Sequence, residues 1–242
     1  MIGVRTKWFS IIGTGTAAAY FLFMSPWSQI LGRFIWRTPV ASKTVALTFD
    51  DGPNEPFTSQ ILAILDRHNA LGTFFMVGRN MESAPEVVRR IAASAHELGN
   101  HSLNHQFRKY FLGDRAYISE ISRSQDVHQQ IAGAMPTIFR PPWLYRTPSI
   151  LHTAATAGMR TISGEFCHVF EVFQPSGDRI ARAALRKMRP GSIIIFHDGF
   201  NTRQGVNRAE TVGAVEIVVA ALANGGWTMV TVSQLLDRDR AR

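Results

Sequence analysis

Four short polar clusters in this 242-residue chain hold side chains that could do chemistry together. They are Asp50-Asp51-Gly52-Pro53, His101-Ser102-Leu103-Asn104-His105, Arg140-Pro141-Pro142-Trp143 and His197-Asp198-Gly199. Two adjacent carboxylates repel each other when both are ionised and unpaired, and a divalent cation bound by one of them relieves this. His101 and His105, spaced i, i+4, present both imidazoles on one face if a helical turn carries them. Asp51 with His101 and His105 then makes a set of one carboxylate and two nitrogens, with positions left for water and a substrate oxygen. Such a set is typical of catalytic rather than structural zinc. Asp50 beside it is placed to act as general base on bound water, and His197 to protonate a departing amine. Arg140 either orients Asp50 or holds a developing negative charge. On an amide the products would be a carboxylate and an amine. Two histidines and a carboxylate also suit iron in oxygen chemistry, but the second Asp and the acid-like His197 favour hydrolysis.

Each cluster alone has a plainer reading. Asp-Asp-Gly-Pro makes a turn without help, HxxxH is common on helices, RPPW can be a rigid loop, and His197 can be a satisfied buried histidine. What outweighs these readings is position, because each cluster follows an apolar, β-rich run. The expected strands are Thr44–Phe49, Thr73–Val77, Leu98–His101, Thr137–Arg140, Arg160–Ser163, Ser192–Phe196 and Trp227–Val232. Helical patterns fill the gaps, with later helices near Ser149–Ala157, Ile180–Met188 and Ala209–Ala223. Repeated strand–helix alternation implies a parallel sheet. Seven units over some 190 residues is short for an eight-unit barrel, so the expected fold is an α/β, distorted seven-stranded (β/α) barrel with its chemistry at the C-terminal strand ends.

The first 43 residues read differently. They carry Arg5, Lys7, Arg33, Arg37 and Lys43 and no acid, leaving 21 basic against 18 acidic residues for the remainder. The formal charge of +8 is therefore mostly an N-terminal property. A basic patch beside an apolar segment suits anionic lipid better than nucleic acid, and no nucleic-acid partner is expected. From Trp8 to Gly32 nothing is charged, and Trp8–Met24 is mostly apolar. At 17 residues this run is at the lower limit for a helix crossing about 30 Å of hydrocarbon. The expected organisation is an N-terminal transmembrane anchor or signal segment with a linker (1–43), then a catalytic domain (44–242). The single cysteine, Cys167, excludes an intrachain disulfide framework.

The segments TFDDGP (48–53), GNHSLNH (99–105), FRPPW (139–143) and IIIFHDG (193–199) closely resemble the successive motifs of the NodB-type polysaccharide deacetylases, carbohydrate esterase family 4. The resemblance spans roughly residues 44–238. It implies a distorted (β/α) barrel and one divalent metal, usually zinc, with cobalt or nickel as alternatives. It implies hydrolysis of N-acetyl groups on chitin-type oligosaccharides, peptidoglycan, glycolipid or related N-acetylated glycan, by a domain facing the periplasm or the exterior. Matched residue by residue, Asp50 is the base, Asp51, His101 and His105 the ligands, His197 the acid and Arg140 the residue that positions the base. Pro142 and Trp143 fall in the substrate-contacting motif. One segment departs from the family. Its members usually carry an Asp-Trp after the fifth strand, whose acid pairs with the catalytic histidine, where this chain reads Ser163-Gly-Glu-Phe-Cys-His-Val-Phe-Glu171. Glu165 at the strand end is one replacement for that carboxylate and Glu171 another. The departure also motivates two other readings, a catalytically weakened carbohydrate-binding protein and an amidase on a non-sugar C–N bond.

Overall fold

The computed structural model describes residues 15–111 and 114–240. Strand β1 (Thr44–Asp50) is buried along its whole length and forms the centre of the sheet. Its residues alternate between two environments, as a strand covered on both faces requires. Val45, Leu47 and Phe49 face outward into a core shared with the helices, where Phe49 and Phe74 stack at 4.9 Å. Ala46 points inward, to a second core with Phe75, Ile138, Ile162, Ile193 and Val230. The strands β2 (Gly72–Met76), β3 (Glu97–Asn100), β4 (Ile138–Phe139), β5 (Arg160–Thr161), β6 (Glu165–Phe166), β7 (Ile193–His197) and β8 (Thr228–Met229) follow in the chain. Seven of them form one parallel path, β5-β4-β3-β2-β1-β7-β6, and β8 pairs with the first residues of β1. The path is open between β5 and β6, so the sheet is a half-barrel and not a closed one.

The helices of the outer layer are α2 (Phe57–Arg67), α3 (Gly78–Ser83), α4 (Pro85–Ala92), α5 (Asp114–Ala132), α6 (Pro148–Thr156), α7 (Gly177–Lys187), α8 (Ala209–Asn224) and α9 (Val232–Arg240). They follow from amphipathic spacing. In α2 the buried positions Thr58, Ile61, Leu62, Ile64 and Leu65 make one stripe. α6 starts where Pro148 occupies the first turn and the Thr147 side chain accepts the Ile150 N–H.

The N-terminal expectations meet the structure in two ways. The expected anchor falls only in part on described residues, where helix α1 is described over residues 15–24. Among the described residues no helix is long and apolar enough to cross a membrane. The first part of the expected anchor, from Trp8 to Thr14, lies outside the described residues. The stretch 25–43 is not a free linker either. It lies as a strap along the domain, bridging Ile35 to Ile162 and Arg37 to Ser192, beside the seam left open between β5 and β6. Phe34 is fully buried on it, against Leu144 and Ile195. Arg146 reaches under the strap to the carbonyls of Ser25 and Ser28 at 2.8 and 2.9 Å.

Candidate active site

The C-terminal ends of β1, β3, β4 and β7 deliver the expected side chains to one mouth. The parallel register pairs Asp50 of β1 with His197 of β7, so both side chains leave the sheet on the same side. Two glycines let the following loops touch. A Cβ on Gly52 would overlap the Asp198 carboxylate, and one on Gly199 would overlap the Asp51 carbonyl. This is the physical reason for glycine in both the DDGP and HDG segments. Asp198 itself faces away from the cleft and accepts from Thr58 Oγ1 at 2.5 Å. Burial raises its pKa to about 7.

Asp51, with φ 72°, turns back under the loop. Its carbonyl accepts from Asn80 Nδ2 at 2.7 Å, and its Oδ2 accepts the Asn201 N–H at 3.0 Å. That leaves Oδ1 facing His105 Nε2 at 3.0 Å and His101 Nε2 at 3.4 Å, with all three side chains buried. His101 Nδ1 lies 2.7 Å from the Arg140 carbonyl. Donation to that carbonyl puts the proton on Nδ1 and leaves Nε2 as a lone-pair donor, the orientation that ligating histidines take. These three atoms are the metal-capable cluster among the described residues. Ligands about 2.1 Å from a tetrahedral ion stand about 3.4 Å apart, so the set fits a single divalent ion. Burial alone would push the Asp51 carboxyl up, but the charge and hydrogen bonds of the two imidazoles hold it well below the usual range. The helical turn expected to carry HxxxH is absent. Residues 101–106 form a loop in which Ser102 and His105 take positive φ, and this brings the imidazoles to 5.0 Å.

Asp50 does not join that cluster. Its Oδ1 is held by Arg140 Nη1 at 2.6 Å, the same nitrogen reaching Thr48 Oγ1 at 2.7 Å, while Nη2 donates to the Ser163 carbonyl at 2.8 Å. Arg140 is fully buried, its guanidinium 4.1 Å above the Phe75 ring, and it does not line the cleft. Its described contacts hold Asp50 and do not reach the cleft, the arrangement expected of a residue that orients Asp50.

His197 has a carboxylate behind it, that of Glu171, which accepts from its Nδ1. His197 Nδ1 lies 2.7 Å from Glu171 Oε2, and Glu171 Oε1 also accepts from Thr211 Oγ1. Glu171 is buried in a 3₁₀ turn (Glu171–Phe173). Glu165, named as a replacement at the strand end, lies in β6 with its backbone in register with Ile194, and its side chain does not line the cleft. Burial would lower the His197 pKa, but the charge and hydrogen bond of Glu171, with Asp51 and Asp50 behind, raise it to about 9. A cation beside Asp51 offsets the last two contributions. Burial likewise opposes ionisation of Glu171, yet His197, Thr211 and Arg208 bring its pKa below the usual carboxylate value.

The signs for pH follow. His197's raised pKa adds stability that is complete below 6.5 and is lost as pH climbs through about 9. The lowered Glu171 pKa adds stability above its unfolded value that is lost on acidification. In Glu171→Gln the metal-free His197 midpoint is expected to fall from about 9, followed by the imidazole carbon shift in NMR. The alkaline limb of acetate release should fall with it. An unmoved midpoint would show that Glu171 does not set the proton affinity of His197.

The cleft has a volume of ≈ 310 Å³ and is lined by Asp50, Asp51, His101, His105, His197 and, among its apolar walls, Trp143. Trp143 sits at φ 55° with its ring 4.2 Å from His105. Pro142 is buried and starts the 3₁₀ turn (Pro142–Leu144) without lining the cleft. Tyr20 and Met24 of α1 form a wall that the motifs gave no sign of. The only signal for them in the sequence was the apolar run that served as evidence for an anchor.

Asp50, a carboxylate-backed His197 and a buried Asp-His-His cluster lie together at the mouth of a parallel half-barrel, an arrangement suited to hydrolysis. Residues 37–162 match the family model described as polysaccharide deacetylase, and the chain belongs to that family. It is 31% identical over 206 residues to a peptidoglycan-N-acetylglucosamine deacetylase of Bacillus cereus, covering 85% of this chain and 93% of that one. A chitooligosaccharide deacetylase of Bradyrhizobium sp. is 30% identical, with 80% and 91% covered. Among solved structures the fold is similar to the Bc1960 peptidoglycan N-acetylglucosamine deacetylase, with TM-score 0.76, 28% identity and 84% and 92% of the two chains covered. It is also similar to a family 4 acetyl xylan esterase of Clostridium thermocellum in complex with a cobalt ion, with TM-score 0.71, 30% identity and 80% and 90% covered.

Proposed function

We propose that this chain removes N-acetyl groups from N-acetylglucosamine units of a glycan, using one divalent ion held by Asp51, His101 and His105. The observation that carries this reading is the buried Asp51 Oδ1 facing two Nε2 atoms beside an Asp50 that Arg140 holds apart. Zinc is the ion proposed, with cobalt or nickel able to replace it, since imidazole and carboxylate suit all three. A divalent ion held by Asp51, His101 and His105 would supply Lewis acidity toward the acetyl carbonyl and the attacking water. Asp50, oriented through its Arg140 contact, takes the proton that the attacking water loses. His197, protonated on both nitrogens while Glu171 holds Nδ1, gives its Nε2 proton to the departing sugar amine. Trp143 and the apolar walls exclude bulk water from the acetyl group. The relatives named for peptidoglycan and chitooligosaccharides support an N-acetylglucosamine-containing substrate. The uncharged run Trp8–Met24 with Arg5 and Lys7 before it supports a protein held at a membrane, and the family resemblance supports a catalytic domain on the periplasmic or outer side.

The test is acetate release from chitotetraose by the full chain, after chelation and again after adding zinc or cobalt. The full chain is needed because cutting near Ser42 would remove the strap and the α1 wall. Release only with metal is the expected result. No release with either ion, on chitotetraose or peptidoglycan, would end this reading. In a separate measurement, His105→Ala is expected to lose the one ion per chain that the native protein takes up, read by elemental analysis after gel filtration. Unchanged metal content would move the site elsewhere.

A further inference from the structure

The mouth of the cleft is bordered by exposed apolar side chains to a degree that sugar binding alone does not explain. Tyr20 and Val169 line the cleft and are 51% and 70% exposed. Phe170, next in the chain and 60% exposed, is in ring contact with Phe173 at 6.4 Å, itself 78% exposed. Across the mouth Phe107, 41% exposed, meets the edge of Trp143 at 5.1 Å. Of the eleven large apolar side chains exposed among the described residues, eight lie on α1, the strap or these two loops. Only Ile118, Met135 and Ile217 lie elsewhere. Five of the eleven, Tyr20, Phe107, Val169, Phe170 and Phe173, line the cleft or stand next to residues that do, and a monomeric soluble protein seldom leaves such a group uncovered. Phe170 and Phe173 lie outside the residues lining the cleft, so a sugar unit confined to it does not cover them.

What covers them is indicated by where the chain comes from. α1 is the C-terminal part of the uncharged run Trp8–Met24, and its Tyr20 and Met24 are cleft wall. The sequence best suited to hydrocarbon thus enters the fold at the rim of the site, with Arg5 and Lys7 preceding it. An apolar segment preceded in the sequence by basic residues, continuous with exposed apolar side chains, is what an interfacial element presents to anionic lipid. We propose that the mouth of this site rests on a lipid surface, and that the acetylated sugar arrives there as the headgroup of an amphiphile. The identity of the headgroup rests on the deacetylase reading; the seating on lipid does not.

The experiment uses the full chain carrying Phe173→Cys labelled with an environment-sensitive fluorophore, Cys167 being 1% exposed and sheltered from the label. Met135→Cys, in the loop before β4 and so at the opposite ends of the strands, is the comparison. With vesicles of phosphatidylcholine and phosphatidylglycerol, the label at 173 should brighten, shift to the blue and be quenched by brominated lipid. The label at 135 should not respond. A label at 173 that stays in water while the protein is vesicle-bound overturns the proposal. So does one already shielded before vesicles are added, which would mean that residues 1–14 or a second copy cover the rim. In a second arm, Phe170→Ser with Phe173→Ser should leave acetate release from chitotetraose unchanged. Release from an N-acetylglucosaminyl lipid in vesicles should drop at least about tenfold, the scale set by withdrawing two phenyl rings from hydrocarbon. Equal loss on both substrates also overturns it. If the native chain acts on neither, the deacetylase reading fails and the fluorescence arm still decides the seating.

Discussion

Asp50→Asn is expected to lower kcat for acetate release by about 10²–10⁴ while the protein keeps its metal. The separation of roles in the structure makes both halves of this result necessary. Asp50 is bonded to Arg140 at 2.6 Å, whereas both histidines face Asp51. Removing its charge therefore takes away a proton acceptor and leaves the metal-capable cluster intact. Asn retains an oxygen to accept from Arg140, so the local geometry survives. The guanidinium nevertheless loses its counter-charge in a buried position, a change that costs up to about 3–5 kcal/mol. Activity must then be measured at a temperature where the variant's unfolding curve shows it folded. Metal content by elemental analysis, alongside kcat and KM, separates the possibilities. If metal and activity disappear together, Asp50 is a ligand; if activity persists, the base is another group.

The parts of this molecule that could be read from sequence are those where one residue type has one use. Apolar runs ending in Asp50, His101, Arg140 and His197 located the strand ends, because a run buried on both faces followed by polar groups leaves few alternatives. Parallel order followed from strand–helix alternation. The misses share a cause, which is that the relevant partner is distant in the chain. Position alone left Glu165, at a strand end, and Glu171, six residues on, as alternatives, and it is Glu171 that folds back to His197 through a 3₁₀ turn. β6, two residues long, pairs only through its contact with β7. His105 reaches the cluster through positive backbone φ, which a side-chain pattern does not reveal. The strap was the largest omission. With Pro, Ser and no charge over most of its length it reads as a linker, and the residue that ties it down, Arg146, lies more than a hundred positions away.

Arg146→Ala is accordingly expected to destabilise the protein by on the order of 3 kcal/mol, with the loss concentrated at the N-terminal end. Arg146 is fully buried, and its described partners are carbonyls: Ser25 at 2.8 Å, Ser28 at 2.9 Å and Leu144 at 3.2 Å. Burial pulls its pKa down to about 10, so it stays charged at neutral pH and these are charge-assisted bonds. Its guanidinium lies 4.4 Å above the Phe34 ring, and its own N–H donates to the Phe23 carbonyl at 3.0 Å. Truncation leaves the strap carbonyls seeking water in a site built to exclude it. Urea unfolding should show the lower stability, and protease should cut within residues 15–36 before the barrel opens. Arg146→Lys should fall between, because one ammonium cannot fork to both serine carbonyls as a guanidinium does. If unfolding and protease resistance stay native in Arg146→Ala, the strap is held by Phe34 and Ile35 alone. If they change as expected, KM should rise with kcat nearly constant, since Tyr20 and Met24 are apolar wall of the cleft and carry no group for the proton transfers. That split would show the N-terminal segment to be part of the substrate site and not merely its attachment.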